Sequence, residues 1–130
     1  MLAQSKAFSG MAVRDIEAAK GFYGGTLGIE IEVLDEANGL LSLKHGGERE
    51  TLLYAKPDHT PSNNTVLNFP VDDIDAVVDE LTARGVEFER YDEFPPDEKG
   101  IMRGRAAGRG PDIAWFKDPG GNILSVLQES

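Results

Sequence analysis

Two histidines, three clustered arginines and one tryptophan are the residues whose types and setting could do chemistry in this chain. His59 stands in Lys56-Pro57-Asp58-His59, where the neighbouring carboxylate would favour the imidazolium and suit it to acid–base work. The plainer reading is a solvated histidine in a connector. His45 precedes two glycines and reads as part of an exposed hairpin turn. The stretch Gly100 to Gly110 sets Arg103, Arg105 and Arg109 among glycines, a composition suited either to an anion-binding lid or to a mobile loop. It lacks the lysine-serine or lysine-threonine pair of a phosphate-binding P-loop. With His59 as base and one of these arginines as oxyanion partner, the chain would have the minimal machinery of a metal-free enzyme. Trp115 and Tyr54, on strands, could stack against a flat ligand or could belong to the core. Asn68 and Ser125 are polar positions in otherwise apolar strands and could turn a hydrogen-bonding group into a pocket.

Composition narrows the chemistry. There is no cysteine, so disulfides, thiolate zinc sites, iron–sulfur clusters and cysteine nucleophiles are excluded. No G-x-S-x-G elbow or dinucleotide fingerprint occurs. Thirteen basic residues face twenty-three acidic ones, for a net charge of −10. That field repels nucleic acid and anionic membranes, favours cationic ligands at low salt, and is also a common solubility device. No segment has membrane-spanning length, and the N-terminus lacks the apolar stretch of a signal peptide, so the expectation is a soluble cytoplasmic protein.

The elements that must position these residues come as a repeat. Val13-Arg14-Asp15-Ile16 returns as Val71-Asp72-Asp73-Ile74, 58 residues later, and Gly28-Ile29-Glu30-Ile31-Glu32 returns as Gly85-Val86-Glu87-Phe88-Glu89, 57 residues later. In the first half, residues 7–13 read as a strand. Asp15 reads as the N-cap of a helix carrying Ile16, Ala19, Phe22 and Tyr23 and ended by Gly24-Gly25. Strands follow at 30–33, 40–43 and 51–54, the last two joined by a hairpin at His45-Gly46-Gly47-Glu48. In the second half, a strand at 65–69 precedes a helix capped by Asp72 or Asp73. Its Ile74, Val77, Val78 and Leu81 form one apolar face, and Gly85 closes it. Residues 86–90 read as a strand, 93–110 as irregular, and 113–117 with 123–127 as a hairpin turned at Asp118-Pro119-Gly120-Gly121.

The pattern predicts one α+β domain over residues 1–130. Module one covers about 6–55, a connector 56–64, and module two about 65–128. Each module is βαβββ, and the two would lie side by side as an open, barrel-like curved sheet around a cleft, with helices outside.

Val13-Arg14-Asp15-Ile16, Phe22-Tyr23, Leu27-Gly28, Val71-Asp72-Asp73-Ile74 and Trp115-Phe116-Lys117-Asp118-Pro119-Gly120-Gly121-Asn122 together resemble the vicinal oxygen chelate superfamily. This group includes glyoxalase I, extradiol dioxygenases, fosfomycin-resistance enzymes and bleomycin-binding proteins. The resemblance implies paired βαβββ modules, frequent homodimers and, in the enzymes, a divalent metal in the cleft. Carried over, the family's ligand positions fall on Phe8, on Val66, on Ser125 and on one of Thr51, Leu52 or Leu53. Phenylalanine and valine offer no lone pair and serine alone is a poor ligand, so the expectation is no metal and no cofactor. A relocated site using His45, His59 or Glu50 is the alternative.

Three readings follow from this resemblance. The first is a metal-independent binding protein of the bleomycin-resistance type, in which Phe8, Leu53, Val66 and Ser125 floor a cleft walled by Tyr54, Asn68 and Trp115. Its partner would be an aromatic or cationic small molecule, not nucleic acid or membrane. The second is a glyoxalase- or dioxygenase-like lyase or oxidoreductase with an unconventional metal site or none, using His59. The third is an interaction module whose cleft is filled.

Overall fold

The computed structural model describes residues 1–46 and 49–130. It resolves into two compact units, Met1–Thr60 and Pro61–Ser130, divided inside the proline-containing connector. Each unit is one four-stranded mixed sheet with its helix.

In the first unit, β1 (Ser9–Val13) leads to α1 (Ile16–Ala19), and β2 (Glu30–Asp35), β3 (Leu40–His45) and β4 (Arg49–Ala55) follow. Asp15 caps α1 as its spacing predicts, its Oδ1 accepting from the amides of Glu17 and Ala18 at 2.9 and 3.2 Å. The helix then does something the glycine pair did not foretell. It runs through Gly24-Gly25 as a wider π-helical stretch, Lys20–Thr26, marked by the Leu27 amide donating to Phe22 O at 2.9 Å. Gly24 permits this because it passes against Ile31, where a β-carbon would meet Ile31 Cδ1 at 3.0 Å. The sheet order is β1-β4-β3-β2, with β1 and β4 parallel and the rest antiparallel. Met11, Leu53, Leu41 and Leu43 are buried with Ala19 and Tyr23. The turn predicted at His45–Glu48 includes Gly47 and Glu48, which lie outside the described residues.

The second unit repeats this plan. Its β5 (Thr65–Pro70) precedes α2 (Ile74–Ala83), then come β6 (Met102–Arg103), β7 (Asp112–Lys117) and β8 (Ile123–Gln128), in the order β5-β8-β7-β6. Again the first and last strands are parallel. Asp73 rather than Asp72 is the helix cap, accepting from the Ala76 amide at 3.1 Å. Ile74, Val78 and Leu81 bury one helix face, and Leu124, Val126, Ala114 and Phe116 bury the facing side of the sheet. The strand expected at 86–90 contracts to a single bridge, Phe88 to Phe116, with the Glu89 amide donating to Trp115 O at 2.8 Å. Met102–Arg103 pairs the other end of β7, so two short segments share that edge.

A cluster of charges pins α2 to this edge. Arg103 holds Asp75 through a two-pronged contact at 2.7 and 2.9 Å, and its Nε donates to Asp97 Oδ2 at 2.9 Å. Lys99 reaches Asp75 at 3.4 Å and Asp79 at 3.1 Å. The hydrogen bonds from Arg103 hold the Asp75 carboxyl well below its usual range, against a smaller opposing effect of burial, with Lys99 adding to the depression. A depressed carboxylate stabilises the fold above its unfolded value, near pH 4, and loses that contribution as pH falls toward the folded value. Arg103→Met should therefore lower the melting temperature by roughly 5 °C at neutral pH, a figure kept small because the pairs are partly solvated. Calorimetry across a pH series should show that deficit holding down to about pH 5 and narrowing below about pH 4.

Candidate functional site

Strand pairing in the second unit sets three predicted residues in one row. Asn68 on β5 lies opposite Ser125 on β8, and Ser125 lies opposite Trp115 on β7. All three occupy the sheet face turned away from α2, because the alternate residues Leu124, Phe116 and Val126 fill the helix-facing core. Ser125 is fully buried, and its hydroxyl donates to Asn68 Oδ1 at 2.5 Å. The half-buried indole of Trp115 stands beside this polar pair.

Two further rings meet that indole. Tyr91 crosses it edge-on, with centroids 5.6 Å apart and planes at 71°, and Phe94 lies tilted at 5.7 Å. A tight turn joins the two rings, the Phe94 amide donating to Tyr91 O at 3.1 Å. With Asn63, Asn64, Thr65, Glu93 and Ile123, the three rings line an open cavity of about 280 Å³. The Tyr91 hydroxyl is buried without a hydrogen-bond partner among the described residues. Burial, and then the charge of Glu89, push its pKa up, so it remains a neutral phenol. A second cavity of about 450 Å³ shares Glu93 and Phe94 with the first and continues along Pro95, Ile101 and Met102 to Arg109. Phe94, itself exposed, is thus a wall common to both.

The remaining predicted residues are placed as follows. Tyr54 is exposed on its sheet face, but Leu53, one residue earlier, is fully buried with Met11 and Leu41 on the other face. Strand alternation makes the two incompatible as neighbours in one lining. The register identifies the counterpart of Ser125 instead: Asn68 pairs with Ser125, its repeat-mate Gly10 pairs with Leu52, and so Leu52 takes the place assigned to Leu53. Phe8 is exposed and precedes β1, and Val66, also exposed, falls at an irregularity in the β5–β8 pairing.

A family model described as the Glyoxalase/Bleomycin resistance protein/Dioxygenase superfamily matches residues 7–126. The chain belongs to this superfamily. No curated protein matches the sequence closely enough to add to that. Among solved structures, a superfamily member from Sphaerobacter thermophilus is 26% identical, with 96% of this chain and 98% of that one covered at a TM-score of 0.68. A glyoxalase/bleomycin resistance protein from Streptomyces sp. CB03234 is also 26% identical, covering 95% of this chain and 100% of that one at a TM-score of 0.65. TnmS3, an antibiotic binding protein from the same Streptomyces strain, shares the fold at 24% identity, 98% coverage of both chains and a TM-score of 0.68.

In its enzymes the superfamily implies a metal, and the residues at the four carried-over positions do not fit one. Phe8, Val66 and Leu52 have no donor atom, and the Ser125 hydroxyl is committed to Asn68. The candidates for a relocated site are engaged elsewhere. His45 Nε2 lies 2.9 Å from Thr51 Oγ1, and Glu50 pairs with Lys44, whose ammonium also reaches Glu32 at 3.0 Å. No group of three or more acidic or histidine side chains suited to a metal occurs among the described residues. His59 sits in the turn after β4, its amide donating to Lys56 O at 2.8 Å and its carbonyl accepting from Arg14 Nε at 2.6 Å. In the arginine loop, Arg103 is bound by Asp75 and Asp97, and Arg105 lies 3.5 Å from Asp112. Neither is free to take up an oxyanion, and of the three loop arginines only Arg109 lacks an acidic partner among the described residues.

Sequence reasoning passed over Tyr91, Phe94, Glu93, Asn63 and Asn64. A signal did exist: Phe88, Tyr91 and Phe94 recur at every third residue, a spacing that fits no strand lying on one sheet face.

Proposed function

We propose that this superfamily member is a metal-independent small-molecule binding protein whose ligand presents a flat apolar group to Trp115. The observation that carries the reading is the meeting of Trp115, Tyr91 and Phe94 around one cavity. Rings set at 71° and 41° to the indole leave faces and edges for a further ring to occupy. Asn63 and Asn64 supply the few polar groups that would orient it. The antibiotic-binding neighbour gives the fold a precedent for such work, though not these residues.

Trp115 is the sole tryptophan, so its emission reports on this wall alone. Fused-ring compounds should quench it saturably and raise the melting temperature. Trp115→Ala should weaken the best ligand by about 30-fold in calorimetric titration, the loss usual for a central aromatic anchor. A broad library that leaves melting and emission unmoved, with added divalent metal switching on turnover, would overturn the proposal. So would stoichiometric metal uptake in equilibrium dialysis that is abolished by His59→Ala. The same reading includes a homodimer, for which sedimentation velocity is the check.

A further inference from the structure

The cavity at Trp115 is lined by three aromatic rings and one carboxylate, and by no basic residue. Glu93 is exposed and makes no ion pair among the described residues. Of the neighbouring acids, Glu89 lies 3.2 Å from Lys117, Asp97 2.9 Å from Arg103 and Asp112 3.5 Å from Arg105, while Asp92 and Glu98, without an ion pair among the described residues, do not line this cavity. Arg109, which lines the adjoining cavity with Glu93, makes no ion pair with it. An uncompensated carboxylate beside three aromatic rings creates a negative potential, which any ring face turned to the ligand reinforces through its quadrupole. The chain's net charge of −10 adds to it at longer range.

We infer that the ligand is an organic cation of the methylated or quaternary ammonium class, its apolar shell against Trp115, Tyr91 and Phe94 and its charge facing Glu93. This rests on the binding reading above and deepens it. Such a cation is weakly hydrated, so entering an aromatic box costs it little water, whereas the strongly hydrated ammonium of a lysine would lose more. The Asn63 and Asn64 side chains complete the wall without adding a positive charge.

Phenyltrimethylammonium and tert-butylbenzene have the same shape and differ in charge, and both can be followed by Trp115 emission. The cation should bind about tenfold more tightly than its neutral twin. Glu93→Gln should shrink that gap by about threefold by weakening the cation more than the neutral compound, and raising salt from about 50 to about 500 mM should weaken the cation more as well. Equal affinities for the pair, or a gap untouched by Glu93→Gln, would overturn the cation assignment while leaving the aromatic-ligand reading in place. Neither compound binding while neutral fused-ring compounds do would have the same meaning. Silence from every compound tested would sink the binding reading itself.

Discussion

Asp118→Ala should destabilise the protein by about 3 kcal/mol and lower the melting temperature by roughly 10 °C, a large effect for a residue in a turn. The Asp118 side chain is buried, with Oδ1 accepting from the amides of Gly120 at 3.0 Å and Asn122 at 2.9 Å, and Oδ2 accepting from Asn122 Nδ2 at 2.8 Å. Asn122 is itself only 3% exposed, so its donors have no water to fall back on. Alanine would take the acceptor from three donors, two of them on buried Asn122, and the cost of leaving buried groups unmade exceeds the net worth of the bonds. The backbone of the turn offers no relief. Gly121 sits at φ +96°, and a β-carbon there would press on Pro61 at 3.0 Å. Asp118→Asn keeps an oxygen for the two backbone amides and sets an amide against Asn122, so it should lose about half as much. The consequence reaches the site, because this turn fixes the β7–β8 register that sets Trp115 opposite Ser125. Denaturant melts and Trp115-reported ligand affinity should therefore fall together in Asp118→Ala.

That turn also shows which parts of the molecule could be read in advance. Asp15, Asp73 and Asp118 each satisfy backbone amides within a few residues of themselves. Interactions so local leave a signature in spacing, which is why the repeat, both helix starts and the last hairpin were legible. Gly24-Gly25 misled because Gly24 serves a close approach to Ile31, a tertiary demand that looks identical to a helix stop in one dimension. Residues 86–90 alternate like a strand, yet β7 offers its edge to them only at Phe88 and Glu89, the rest being taken by Met102 and Arg103. Leu53 and Leu52 differ by one position, and a one-residue shift exchanges the two faces of a strand. The row Asn68, Ser125 and Trp115 was visible as polar and aromatic residues breaking apolar strands. Tyr91 and Phe94 were not, because what brings them to Trp115 is a turn and the bridge from Phe88 to the distant Phe116 on β7.

The same bridge makes Phe116→Ala the most damaging substitution expected, at about 4 kcal/mol. Phe116 is 1% exposed and occupies the α2-facing side of β7, opposite Leu124. Its ring meets Phe88 edge-to-face at 5.7 Å, and Phe88 in turn fits against Gly100, where a β-carbon would come within 2.8 Å. Truncation opens a void between layers that cannot collapse without moving strand or helix, so the cavity cost adds to the lost burial. Phe116→Leu fills part of that volume and should cost about 1.5 kcal/mol. Stability alone would not separate this from any other core deletion. The distinguishing consequence is local: Phe88 and the Glu89 amide are the stitches that hold the segment carrying Tyr91 and Phe94 to β7. Removing the ring beneath Phe88 should release that segment before the sheet itself melts. Hydrogen exchange at the Glu89 amide should then accelerate well beyond that of the β7–β8 amides under native conditions. Trp115 emission should shift to the red as Tyr91 and Phe94 leave its faces. Uniform loss of protection across the sheet, with native Trp115 emission unchanged, would instead show that the aromatic wall is held independently of Phe116.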